Sequence, residues 1–217
     1  MNELSSYIFS SLREGDIALY RGSGNGLAPI LLAAAEETSL GCVEQLKHEF
    51  ALKAELDADW AARPVALTHY NNRLTLVLED PGGAPLDQLL GRPLDESQFL
   101  SIAIPVAKAL RQVHERGLIH KDIKPANILV DAASGGVWLT GFGIASRLPR
   151  EHQVPAPPEV IAGTLAYMAP EQTGRMNRSV DSRSDLYALG ITFYEMLTGQ
   201  LPFTAADPME WVHCHIA

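Results

Sequence analysis

Residues 120–129 of this 217-residue chain read His120-Lys121-Asp122-Ile123-Lys124-Pro125-Ala126-Asn127-Ile128-Leu129. An acid, a lysine two residues on and an asparagine five residues on lie together between two apolar runs. Each has a chemical use at that spacing. Asp122 can take a hydroxyl proton or orient that hydroxyl, Lys124 can neutralise a phosphate, and Asn127 can ligate Mg²⁺. Such a set suits phosphoryl transfer, in which a protein mainly positions groups and neutralises charge.

Composition bounds what surrounds this loop. Apolar residues make up 47% of the chain, enough for a real core in one large domain or two small lobes. A formal net charge of −9 argues against a nucleic-acid or anionic-membrane surface. Cys42 and Cys214 are too few for a disulfide framework and lack a metal spacing, so a cytoplasmic protein is expected. The longest apolar run, residues 27–35, is far short of a membrane span. The first residues lack the basic start and apolar stretch of a signal peptide. His213-Cys214-His215 would point to different faces of a helix, so no metal site is expected there.

Residues 1–80 read as short strands with one helix. Tyr7-Ile8-Phe9 and residues 17–20 are β-rich pieces around a turn at 13–16, and residues 29–33 form another strand. The glycines of residues 21–26 read as a plain turn. Apolar spacing over residues 43–56 predicts a helix. Two further strands flank Asn71-Asn72, a hairpin signal. Residues 79–83 break the pattern, and the lobe boundary is placed there. Residues 81–217 are mostly helical. A helix over 97–116 carries Phe99, Ile102, Ala103, Val106, Ala109, Leu110 and Val113 on one face, and Pro105 is expected to kink or split it. Two short strands bracket the turn 132–136. Residues 147–158 hold four prolines and read as a mobile surface loop. A helix over 185–198, apolar on nearly all sides, is expected in the middle of its domain. Strands first and helices after suggest an α+β fold in two segregated parts.

Residues 120–129 resemble the catalytic loop of protein kinases, H-R-D-x-x-x-x-N, with Lys121 in place of the arginine. A lysine at that position lacks the bidentate fork with which an arginine reads a phosphate. The likeness extends through Gly163-Thr164-Leu165-Ala166-Tyr167-Met168-Ala169-Pro170-Glu171, similar to the end of a kinase activation segment. It continues through Ser184-Asp185-Leu186-Tyr187-Ala188-Leu189-Gly190, similar to the helix whose Asp ties down the catalytic-loop backbone. A lysine two residues after the acid favours the Ser/Thr branch. The fold implied is two-lobed, with a small β-rich N-lobe and a helical C-lobe truncated at its C-terminal end. The roles implied are catalysis for Asp122, Lys124 and Asn127, ATP binding for Gly15, Glu79 and Asn127, and Mg²⁺ binding for Asn127. The nucleotide loop falls at residues 12–18, where Gly15 is the surviving glycine of three. His120 reads as a packed loop histidine.

Two departures bear on catalysis. Gly141 of Thr140-Gly141-Phe142-Gly143 stands where the kinase D-F-G has its metal-binding Asp. Ala33 stands where the strand lysine that meets the phosphates belongs. With that lysine absent, its helix partner Glu49 reads as a solvated charge. Asp131 lies near Asn127 in sequence, but spacing gives no reason to place it at a metal. Between Gly143 and Gly163 the one hydroxyl is Ser146, so ordering by phosphorylation is not evident. Residues 171–181 are similar to the N-terminal kinase-like domain of large bacterial signalling proteins that continue into an ATPase module and a sensor histidine kinase. On that resemblance the chain is a fragment, and an arginine partner for Glu171 lies beyond Ala217.

The expectation is a catalytically impaired regulatory module with weakened ATP and Mg²⁺ binding, partnered by downstream ATPase and histidine-kinase domains. Loss of either charged group is worth several kcal/mol of transition-state stabilisation, because electrostatics carries most of this reaction. One alternative is an active Ser/Thr kinase with relocated ligands, for which Arg21 and Lys47 are the candidate cations. Another is a protein-interaction module that binds no nucleotide.

Overall fold

A computed structural model describes residues 3–35, 39–147 and 164–217. Its N-terminal part is an antiparallel sheet with one helix against it. Strands β1 (Ile8–Arg13) and β2 (Ile17–Ser23) turn through Glu14, Gly15 and Asp16, and β3 (Ile30–Ala35) pairs with β2. After α1 (Leu40–Ala51) come β4 (Pro64–Tyr70) and β5 (Arg73–Glu79), giving the order β1-β2-β3-β5-β4. Asn71 and Asn72 both take positive φ, 49° and 62°. A two-residue hairpin needs this for its twist to match the strands, and Asn tolerates it. β3 is apolar throughout because both its faces are covered. Leu31, Ala33 and Ala35 pack toward Leu46 of α1, and Leu32 and Ala34 pack with Leu4 and Val77 on the other side.

Helix α1 begins before its apolar spacing because Ser39 caps it, accepting the Cys42 N–H at 3.2 Å. It stops at Ala51 rather than running on to residue 56. Leu52, Leu56, Trp60 and Ala61 instead enter the core of the C-terminal part. Two backbone bonds bracket that passage, Leu139 N–H to Trp60 O at 2.9 Å and Ala62 N–H to Leu139 O at 3.0 Å.

The C-terminal part starts with β6 (Ala84–Pro85), a two-residue strand invisible to periodicity. It continues with α2 (Glu96–Glu115), β7 (Ile128–Asp131) and β8 (Gly136–Leu139), and ends with α3 (Ser182–Thr198) and α4 (Pro208–Ile216). β7 sits between β6 and β8. Asp95 and Gln98 close a capping box at the start of α2. The expected split at Pro105 does not occur: α2 is one element of 20 residues. Proline deprives the Ser101 carbonyl of its donor, but Ser101 is exposed, so water can satisfy it. The face named from spacing is buried at Ile102, Ala103, Val106, Ala109, Leu110 and Val113.

Helix α3 corrects a second expectation. Apolar composition placed it centrally, yet Leu186, Tyr194 and Leu197 are 54%, 47% and 47% exposed. Its buried residues are Ser184, Asp185, Ala188, Leu189, Ile191, Thr192 and Met196, so three of the residues turned inward are polar. Beyond Arg147, the proline-rich stretch lies outside the described residues. The architecture is α+β and two-lobed, a sheet lobe followed by a helical lobe, with the loop of residues 120–127 where they meet.

Candidate active site

The loop is held from below by one carboxylate. Asp185, fully buried in the first turn of α3, accepts the His120 N–H at 2.9 Å and the Lys121 N–H at 2.8 Å, and His114 Nε2 lies 2.8 Å from it. Charge-assisted bonds to a buried acid fix backbone more firmly than neutral ones. They hold Lys121 at φ 67°, a left-handed conformation unusual for a long side chain. Gln172 Nε2 donates to the Lys121 carbonyl at 2.8 Å. His120 is fully buried, 4.5 Å from the Phe142 ring centroid. Its Nδ1 accepts the Asp122 N–H at 3.2 Å, so Nε2 carries the proton toward Thr140 O at 3.0 Å. Burial holds its pKa below the ordinary value, against the pull of Asp185 and Asp122. The ring is a neutral packing element.

On that support the three loop residues of the sequence reading come together. Asp122 Oδ2 accepts from Asn127 Nδ2 and from Lys124 Nζ, both at 2.8 Å, and its Oδ1 accepts the Thr164 N–H at 3.1 Å. Lys124 also donates to the Thr164 hydroxyl. An acid, a cation and a hydroxyl from the returning chain thus share one corner of a cleft of about 610 Å³.

The cleft is walled above by Leu12, Leu19, Ala33 and Leu78 and closed in front by the β1–β2 turn with Gly15. Gly15 has φ 139°, and a Cβ there would meet nothing within 4 Å. Volume and apolar lining suit a flat heteroaromatic ring with a polar tail. Ala33 and Gly141 both line it. Gly141 has φ 80°, and a Cβ there would come within 2.9 Å of Cγ, Nδ2 and Oδ1 of Asn127. The asparagine amide therefore fills the space that a side chain at 141 would enter. Gly143 is needed for a different closeness: a Cβ there would lie 2.8 Å from Gln45 Cβ, where α1 rests on the turn.

Arg13 enters the cleft from the end of β1. The β1–β2 register slips between Ser11 and Arg13, and such a bulge re-aims the side chain that follows it. Its Nη1 donates to Asn127 Oδ1 and, at 3.1 Å, to Ala126 O, while Nη2 donates to Ile17 O at 3.4 Å. Burial lowers its pKa, and the charges of Glu49, Asp122 and Asp87 oppose that.

Glu49 corrects the sequence reading. It is no solvated charge: the residue is 5% exposed. Burial pushes its pKa up to about 7, against Arg13 and the backbone of Phe142 and Gly141, which favour the charged form. In place of a strand lysine, the cation whose charge acts on this acid is Arg13, at the end of β1 two strands away in the sheet, with no ion pair between them among the described contacts. Periodicity could not find this pair. The available signal was a basic residue inside the register given to the nucleotide loop, together with an acid otherwise lacking a partner.

The other named residues lie elsewhere. Glu79 turns its carboxylate to Arg63, and its N–H donates to Arg63 O at 2.9 Å. Arg21 pairs with Asp80 at 2.6 and 2.9 Å and donates to Gly83 O. Lys47 is an exposed partner of Glu44 at 2.8 Å. Neither candidate cation reaches the cleft. Asp131 caps its own hairpin turn, accepting from Ala133 N–H and Ser134 Oγ. Glu171 is not left without a partner within the chain: it accepts the Ser184 hydroxyl at 2.6 Å.

These residues do not fit a bound Mg²⁺. Asn127 Oδ1 faces a guanidinium, Gly141 brings no carboxylate, and among the described residues no group of three or more His, Cys, Asp or Glu side chains could hold a metal.

Residues 32–216 match the protein kinase domain family. Serine/threonine-protein kinase Pkn1 of Myxococcus xanthus is 43% identical over 131 residues, 59% of this chain and 18% of its own length. Serine/threonine-protein kinase PknB of Mycobacterium leprae is 37% identical over 143 residues, 65% of this chain and 22% of its own. PknB of Mycobacterium tuberculosis is 32% identical over 168 residues, 76% of this chain and 26% of its own. The chain thus spans about a quarter or less of the length of these relatives.

Proposed function

The chain belongs to the protein kinase domain family, and on that premise we propose that it is a Ser/Thr-type kinase-fold module with impaired phosphotransfer and a regulatory role in a larger signalling protein. The relatives are named serine/threonine-protein kinases, and kinases of this family generally use ATP with Mg²⁺. One observation carries the impaired reading: with Gly141 in the metal-binding position, the Asn127 amide occupies the space that a side chain there would enter.

In this reading each residue keeps the part of its role that the geometry allows. Asp122 is placed to accept a hydroxyl proton, and Lys124 to neutralise charge beside it. Gly15 lets the turn close over a nucleotide tail, and Leu78, the residue before Glu79, borders its ring. When bound, Mg²⁺ would spread the negative charge of the phosphates, but Asn127 Oδ1 already accepts from Arg13 and Gly141 offers no carboxylate. Without that neutralisation the barrier rises by several kcal/mol, a loss of some thousandfold in rate. The likeness of residues 171–181 supports ATPase and histidine-kinase domains as partners in the same polypeptide.

A second reading, an active kinase with relocated ligands, draws support from Arg13. A cation in the cleft restores the charge that Ala33 lacks, but residue 141 itself brings no carboxylate to a metal. Transfer of radiolabelled γ-phosphate from Mg·ATP to a generic protein substrate tests the two readings. Incorporation no higher than that of Asp122→Ala is expected. Turnover on the order of 1–100 s⁻¹, usual for kinases, and abolished by Asp122→Ala would overturn the impaired reading.

A further inference from the structure

We propose that Arg13 supplies the positive charge at the phosphate end of the cleft in place of both the strand lysine and the metal, so that the site takes a nucleoside di- or triphosphate without a divalent cation. This rests on reading the cleft as a nucleotide site and adds what holds the phosphates there.

Three observations converge. Arg13 and Lys124 are the basic residues lining the cleft, among the described residues, and Lys124 is already engaged by Asp122 and Thr164. Arg13 is thus the second cation available to a phosphate chain, and one not bound to a carboxylate among the described contacts. Next, its Nη1 sits on Asn127 Oδ1, the oxygen that would face a metal. A guanidinium is a permanent cation with five N–H donors. Contacts to Asn127, Ala126 and Ile17 take three of them. Among the described contacts, that leaves donors suited to phosphate oxygens, which Arg engages as a fork. Last, the alternative is closed sterically. A side chain at 141 would collide with the Asn127 amide at 2.9 Å on a backbone at φ 80°, so the loop is settled around the arginine.

The cleft's acids bear on the same point. Glu49, Asp87 and Asp122 all act on Arg13, yet they form no metal cluster. Their charges favour the charged guanidinium, and its bonds to Asn127, Ala126 and Ile17 hold it where it is before any ligand arrives. A preset cation binds without the cost of ordering a long side chain. Mg²⁺ demands near-octahedral oxygen ligands, and the oxygen best placed to offer itself is taken.

Calorimetric titration of ATP and ADP onto the protein, once in EDTA and once in excess Mg²⁺, tests this. The expected dissociation constants agree within about threefold in the two media. Arg13→Ala should weaken ATP binding in EDTA by at least about tenfold, the loss of one charge-assisted contact. Arg13→Lys, which keeps the charge without the fork, should fall between. Binding that requires Mg²⁺ overturns the proposal while leaving the nucleotide reading intact. Binding that Arg13→Ala leaves unchanged or tightens also overturns it, since the arginine would then be a bystander or an occluder. No binding in either medium overturns both readings. The wild-type comparison needs no variant to fold.

Discussion

Glu49→Gln is the most direct probe of the site's electrostatics. The carboxyl sits at about 7 in the folded chain against an ordinary value of 4.5, so the native state holds its proton more tightly than the unfolded state does. The resulting stabilisation is full below pH ~4.5, falls as the pH rises to about 7, and is gone above that. At about 1.4 kcal/mol per tenfold change in proton affinity, the gap amounts to about 3 kcal/mol. Gln has the same shape and does not titrate. Urea unfolding of both proteins, followed by the fluorescence of buried Trp60, gives two stability-versus-pH curves. Other titrating groups are common to both and cancel in the difference. Loss of Arg13's partner adds a roughly constant offset. Between pH ~4.5 and ~8 the variant should gain about 3 kcal/mol on the wild type. A difference that stays flat within about 0.5 kcal/mol would refute the buried, proton-holding carboxyl.

Other perturbations have equally plain readouts. Asp185→Asn puts an amide NH₂ where backbone N–H groups need an acceptor, and should lower the urea-derived stability by about 3 kcal/mol. Gly141→Ala forces a Cβ onto the Asn127 amide and strains a left-handed backbone. It should cost at least about 1 kcal/mol in thermal unfolding, and an unchanged melting point would show that the amide moves aside freely. Ser39→Ala removes the cap of α1 and should cost about 1 kcal/mol, measured as a shifted urea midpoint.

Features written in a few neighbouring residues were legible in the sequence. Asn71-Asn72 announced a hairpin because both residues accept positive φ, and the spacing of Asp122, Lys124 and Asn127 announced a polar cluster because one loop carries them all. The buried face of α2 followed from period 3.6. What escaped depended on distant partners. Glu49 looks like any helical acid until a bulge in β1 turns Arg13 toward it. Pro105 looks like a breaker until Ser101 is seen to face water. α3 looks like a central helix until Leu186, Tyr194 and Leu197 are found outside, since composition counts apolar residues without saying which side they occupy. The pairing of Ser184 with Glu171 was equally out of reach, because a hydroxyl on one helix carries no sign of the carboxylate it will meet.

The passage from α1 into the other lobe has a mechanical consequence. Leu52, Leu56 and Trp60 are sunk in the helical core, and two backbone bonds rivet their strand-like end to β8. Helix α1 is therefore a lever pinned at its C-terminal end. His48 Nε2, one residue before Glu49, lies 2.6 Å from Ala145 O, so the turn of α1 that carries this acid is tied to the helical lobe as well.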